Sequence, residues 1–344
     1  GGVARAGGGG EAPPLSVLDQ VPIPAGSSAP EALAATVELA QAAERLGYRR
    51  YWVAEHHNTE SLASSAPEVL VAHLAASTTS IRVGAGGILL SHYSPLKVAE
   101  VFRTLHALHP GRIDLGVGRA AGTDDAAAAA LAHGPGALGD EHHPDQLATL
   151  VGFVHDRLAA DHPFAEVRAM PTAAGTPEMW VLGSSSHGSS LAAGLGLPFA
   201  FAHFVSPTFC SQVVASYRRR FRPSRACPRP RVAIGVSVVC AATDAEAERL
   251  VVSHDVWRLN PEGAERGPLL PVADASAWPL NRVERARLAQ QRDQRVVGAP
   301  DRVRAALMGL AADTGADELV VLTVCHDAAA RLRSYELLAA TMQR

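Results

Sequence analysis

Eight short apolar runs, each followed by a longer stretch of helical periodicity, constrain this chain more than any other feature. The runs are Leu15–Leu18, Tyr51–Ala54, Ile81–Ala85, Ile113–Val117, Met179–Leu182, Pro198–Ala202, Val232–Cys240 and Leu319–Val324. Between them the apolar spacing switches to three and four residues, as over Pro30–Leu46, Pro67–Ser77 and Pro95–Leu108. Pro at a first turn and Gly47 just past an end mark helix boundaries. Repeated strand–helix units imply a parallel sheet with helices outside it. Eight units in 344 residues predict an α/β fold, a single (β/α)8 TIM barrel with insertions. A doubly wound open sheet is the competing arrangement.

Two stretches break the rhythm. Ala120–Pro144, rich in Ala, Gly, Asp and His, follows the fourth strand, and Trp257–Arg295, with several Pro and Gly, follows the seventh. A long irregular segment inside a compact domain is a functional lid or a disordered loop, and in a barrel both would lie on the catalytic face. Trp257–Arg295 is expected to be a mobile lid. Gly1–Pro14 has neither an apolar core nor periodicity, and is expected to be a disordered tail and no signal peptide. Residues 15–344 then form the barrel.

Composition narrows the function. With 47% hydrophobic and 19% charged residues and a formal net charge of −3, the chain is not of the disordered class. It also lacks the basic excess that a nucleic-acid partner demands. No run approaches the roughly 18 apolar residues of a membrane span, so no membrane partner is expected. Cys210, Cys227, Cys240 and Cys325 are widely spaced with no CxxC pair, the usage of a reduced, cytoplasmic protein with buried thiols.

Four clusters could carry chemistry. Glu55-His56-His57-Asn58 directly follows the second strand, where barrel residues face the active site. Histidine there suits proton transfer or the stabilisation of a developing anion. A metal pair is not indicated, because adjacent side chains diverge and no further ligand spacing completes a site. The similar Glu141-His142-His143 lies in a Gly/Pro-rich loop away from any strand end, and is expected to be solvated. Gly86-Gly87, closing the third strand ahead of His92 and Tyr93, would let a flat ligand approach the backbone. Arg119 follows the fourth strand, and a guanidinium at a strand end is well shaped for phosphate. Gly183, Ser184, Ser185, Ser186 and His187 precede a helix, where hydroxyls, backbone N–H groups and the helix dipole together favour an anion. Arg119 and the serines imply a phosphorylated ligand across the barrel mouth.

These segments resemble the bacterial luciferase-like flavin monooxygenases, most closely the subgroup containing the mensacarcin-pathway oxygenase of polyketide tailoring. The resemblance runs from Leu15 almost to the C-terminus. It is carried by Arg50-Tyr-Trp-Val-Ala-Glu-His-His-Asn58, His92-Tyr-Ser-Pro-Leu-Lys-Val-Ala-Glu100, Pro110-Gly-Arg-Ile-Asp-Leu-Gly-Val-Gly-Arg119 and Leu182-Gly-Ser-Ser185. It implies a dimeric (β/α)8 barrel that takes reduced FMN from a separate flavin reductase. Through a C4a-peroxyflavin formed with O2, it would oxygenate a small organic substrate, as in antibiotic tailoring.

By position, the resemblance makes His56 the active-site histidine, with His57 and Glu55 in support. It puts a non-proline cis peptide at Gly86-Gly87 against the flavin ring, and phosphate contacts at Arg119, Ser184 and Ser185. Relatives often carry Gly-Tyr-Ser where this chain has Ser186-His187-Gly188, which would weaken phosphate binding or shift part of it to Ser189. The alternatives are a deazaflavin-dependent oxidoreductase on the same barrel and a non-catalytic flavin-binding protein; retention of Glu55-His56-His57 opposes the latter.

Overall fold

A computed structural model describes residues 12–132, 140–172, 175–260 and 266–343. It contains nine strands: β1 (Leu15–Asp19), β2 (Arg50–Val53), β3 (Arg82–Leu89), β4 (Ile113–Gly118), β5 (Glu178–Gly183), β6 (Phe199–Ala202), β7 (Val232–Cys240), β8 (Arg295–Gly298) and β9 (Glu318–Leu322). All pairings between them are parallel. β1 to β7 pair in sequence, and β9 joins β7 back to β1 to close a barrel of eight. The open-sheet alternative is thereby excluded. All eight expected strands are in that ring, each within a few residues of its expected bounds.

The ninth strand, β8, was not expected. It adds to Ser237–Cys240, overlapping the part of β7 that pairs with β9 only at Ser237, and the ring closes without it. Its four residues stand where the Trp257–Arg295 insertion returns to the barrel, too short a run to stand out from that insertion. At the other end of the chain, residues 1–11 of the expected tail lie outside the described residues. The Pro14 carbonyl already accepts a hydrogen bond from Leu319 N (3.0 Å).

Parallel strands alternate their side chains between the helix layer and the barrel interior. Outward residues such as Val17, Val83, Leu115 and Val321 meet the surrounding helices in one continuous core. The inward residues form layers. Nearest the N-terminal end, Ser16, Arg50, Asp114, Glu178 and Glu318 make a polar layer. Two residues further along the strands, Leu18, Trp52, Trp180 and Val320 make an apolar one, with Ala200 and Ala233 beside them. The two indoles meet edge to face at 5.6 Å and donate downward, Trp52 Nε1 to Asp114 (2.9 Å) and Trp180 Nε1 to Glu178 (2.7 Å).

The first part of the Trp257–Arg295 insertion is anchored. Leu269 pairs with the segment after β1, through Ala25 N to its carbonyl (2.8 Å) and its own N to the Ile23 carbonyl (3.2 Å). Leu269 and Trp257 are buried with Leu62, Leu322 and Val324. The helix Arg282–Gln291, capped by Asn281 with Glu284 reaching back, buries none of its residues.

Candidate active site

Above the indole layer, at the C-terminal ends of the strands, lies a cavity of about 460 Å³. Leu18, Trp52, Ala200 and Val320 line it from the barrel interior, and Leu182, Phe201 and Phe204 continue the apolar wall. Its glycine edge is Gly86-Gly87, joined by a cis peptide bond. A Cβ at Gly86 would stand 2.8 Å from Trp52 Cβ, and one at Gly87 2.8 Å from the Gly116 carbonyl oxygen. Contacts that short are not tolerated, so only glycine lets β3 pack this closely here.

Of the expected catalytic cluster, His56 and Glu55 line the cavity and His57 does not. Glu55 is buried, and its carboxylate accepts from Leu89 N (2.8 Å) and Tyr93 Oη (2.7 Å) and lies 2.8 Å from His57 Nε2. Burial pushes the Glu55 carboxyl up; the hydrogen bonds from Leu89, Tyr93 and His57 oppose that, and the net direction remains upward. His57 is thereby bound to Glu55. His92 and Tyr93, expected at the cofactor, are likewise absent from the cavity wall. His92 reaches the Ala121 carbonyl through Nε2 (2.8 Å) and stands edge-on to the His57 ring at 5.7 Å. Together these side chains tie the loops after β2, β3 and β4 to one another.

The expected anion cradle is brought together in part. Arg119, Gly183, Ser184, Ser185 and His187 all line the cavity. Arg119 is exposed and has no hydrogen-bond or ion-pair partner among the described residues. Ser185 caps the helix Ser186–Leu195 in extended conformation without spending its hydroxyl on the cap. Ser186 is not in the wall. Ser189 cannot share its task, because it is buried and donates to the Ser186 carbonyl (3.0 Å).

One residue was misread. His143, expected to be solvated, is 3% exposed and lines the cavity. It opens the helix His143–Val154, whose Leu147, Leu150 and Val154 are buried. The i, i+4, i+7, i+11 spacing was visible in the sequence and places His143 on the same face. His142 stays partly exposed. No group of three metal-ligating side chains occurs among the described residues.

The cavity thus joins a cationic, hydroxyl-rich rim to an apolar interior with a glycine edge, and a flat ligand with an anionic tail fits it. Residues 14–318 match the family model described as luciferase-like monooxygenase. The crystal structure of apo-MsnO8 is 43% identical with a TM-score of 0.87, covering 96% of this chain and 98% of that one. YwcH of Bacillus subtilis (strain 168) is 43% identical over 327 residues, 94% of this chain and 97% of its own. The luciferase-like monooxygenase of Escherichia coli (strain K12) is 39% identical over 324 residues, 94% and 95% of the two chains. The oxygenating constituent of 3,6-diketocamphane monooxygenase from Pseudomonas putida, solved with FMN, is 19% identical with a TM-score of 0.69 and covers 96% of this chain and 98% of its own. An F420-dependent secondary alcohol dehydrogenase is 12% identical with a TM-score of 0.71, covering 97% and 100%. These last two share the fold alone. The near-complete match to relatives around 40% identity and the family model agree with the site: the chain belongs to the luciferase-like monooxygenase family of oxidoreductases.

Proposed function

We propose that this protein is the oxygenating component of a two-component system, taking reduced FMN from a separate flavin reductase and using O2 to epoxidise or hydroxylate a small organic substrate. In this reading it is a cytoplasmic homodimer and its substrate is an intermediate of aromatic polyketide or antibiotic tailoring. The observation that carries the reading is one cavity with an arginine and serine hydroxyls at its rim that have no partner among the described residues, and with His56 against an apolar interior.

Reduced flavin, when bound, supplies the electrons that activate oxygen. The chain's own residues do the rest. Arg119, Ser184 and Ser185 hold the phosphate, where the helix dipole adds to their hydrogen bonds. Gly86-Gly87 admits the ring system to the backbone. Leu18, Trp52 and Val320 keep water from the inner end of the cavity. His56 holds or delivers a proton on its imidazole beside the reacting atoms, while Glu55 keeps its loop in register through Leu89, Tyr93 and His57. The Trp257–Arg295 segment closes the mouth, hinged on the anchored stretch at Leu269.

The experiment is a binding titration with FMN, reduced FMN, riboflavin and a deazaflavin, followed by oxygenation of protein loaded anaerobically with reduced FMN. Selective binding of reduced FMN, and product formed in proportion to flavin oxidised, are expected. Selective binding of deazaflavin would replace this reading with the dehydrogenase one. Replacing Ala277–Gln291 with a short Gly-Ser linker should preserve flavin affinity and divert oxygen to hydrogen peroxide; unchanged coupling would remove the lid from the mechanism.

A further inference from the structure

A second cavity, of about 350 Å³, lies outside the barrel, where the helix His143–Val154 passes into the loop that leads to β5. Its volume is within the range of small-ligand sites. Gly152, Phe153, Leu158 and Val167 give it an apolar side, and Arg157 and Arg168 a cationic one. The apolar side depends on close packing, since a Cβ at Gly152 would come within 2.4 Å of Leu158 Cδ2.

The loop is a built structure. Arg103, 3% exposed, holds both of its ends, donating to the Phe153 carbonyl (3.1 Å), Asp156 Oδ1 (2.8 Å) and the Pro171 carbonyl (3.0 Å). Asp156 adopts φ of 53° to meet it, a left-handed conformation uncommon outside glycine. Backbone at such an angle persists only where its surroundings enforce it.

The charges do not cancel. Asp156 is taken up by Arg103, while neither Arg157 nor Arg168 has an acidic partner among the described residues. Two guanidiniums with unspent donors beside a hydrocarbon wall match a planar anion carried on an apolar body. The Asp156 carboxylate also borders the cavity, which disfavours a dianion and leaves a monoanionic carboxylate as the better fit.

We propose that this cavity binds a small organic carboxylate with a hydrocarbon body, at a site separate from the barrel mouth. The helix connecting the two places them apart: His143 at its first residue lines the barrel-mouth cavity, and Gly152 and Phe153 in its last turn line the second. Twelve residues of helix span about 18 Å.

Isothermal titration with hexanoate tests this, using hexylamine and phenyl phosphate as charge controls. One saturable hexanoate site is expected, weakened by added salt and persisting when the protein is saturated with FMN. Hexylamine should not bind, and phenyl phosphate should bind more weakly. The double variant R157A/R168A should lose at least about tenfold in hexanoate affinity, with melting temperature and FMN affinity unchanged. V167E, which sets a carboxylate beside the arginines, should abolish binding. Absence of saturable binding, tighter binding of phenyl phosphate, or hexanoate affinity untouched by both variants would each overturn the proposal. The two variants locate the site on this loop whatever the barrel mouth binds, so the result stands apart from the flavin reading.

Discussion

The two ends of the barrel are built from the same strands and are chemically opposite. At the N-terminal end, the buried charges are paired with one another. Arg50 is fully buried and reaches Asp114 (2.7 Å), Glu178 (3.2 Å) and Glu318 (2.6 Å), while Arg82 holds Asp114 and Arg231 holds Glu178 (3.2 Å). At the C-terminal end, Arg119 and the Ser185 hydroxyl have no such commitments among the described residues, and both face the cavity. A network of mutually paired charges fixes the ring; the rim is left to act on something else. Barrels in general divide stability and catalysis this way, and here the Trp52 and Trp180 indoles form the boundary, donating down to the carboxylates while Trp52 also lines the cavity.

If the division holds, damage at one end should spare the other. The largest effect is expected from His56→Ala at the open end. Product formation should fall by about 10²–10⁴ with unfolding midpoint and flavin affinity retained, and near-parental turnover would remove His56 from catalysis. Arg50→Met attacks the closed end. It takes from Asp114, Glu178 and Glu318 the buried cation that they share, and denaturant unfolding should show a loss of about 3–5 kcal/mol, while folded molecules bind flavin as before. A matching loss of flavin affinity would mean that the two ends are not separable.

Arg119→Ala is a smaller change at the open end. A charge-assisted hydrogen bond is worth roughly 1.5–3 kcal/mol, so FMN should weaken about ten- to a hundredfold and riboflavin hardly at all. Equal losses for both flavins would show that Arg119 does not meet phosphate. The smallest effect concerns acid. Burial alone would raise the Glu178 carboxyl, but Arg50, Arg231 and Arg82 outweigh it and pull it down to about 2. A carboxyl depressed in the folded state stabilises it above the unfolded value near 4.5, and that contribution is lost as pH falls from there toward 2. Thermal melts across this window should lose part of their pH dependence in Glu178→Gln; an unchanged profile would show that the closed end does not govern acid stability.

Much of the candidate site could be read from sequence because it sits at strand ends. His56, Gly86, Gly87, Arg119, Ser184 and Ser185 each follow an apolar run directly, and all six line the cavity. His57 and Ser186 stand one position beyond His56 and Ser185, His92 and Tyr93 stand further along the chain after Gly87, and none of the four lines it. Adjacency along a chain says which loop a residue occupies, whereas its direction depends on partners such as Glu55 that arrive by folding.

The sequence by itself determined the barrel, because strand and helix periodicities are local properties and eight such units leave few ways to bury their apolar faces. It determined the glycine edge as well, since close backbone approach requires glycine wherever it occurs. Only the tertiary structure decided that His143 is a wall residue, because its spacing marks a buried face without saying what that face meets. It alone paired Arg50 with carboxylates 64, 128 and 268 positions away, and left Arg157 and Arg168 without any among the described residues. Which charges meet is set by which strands become neighbours, and that follows from closure of the ring rather than from any stretch of chain within it.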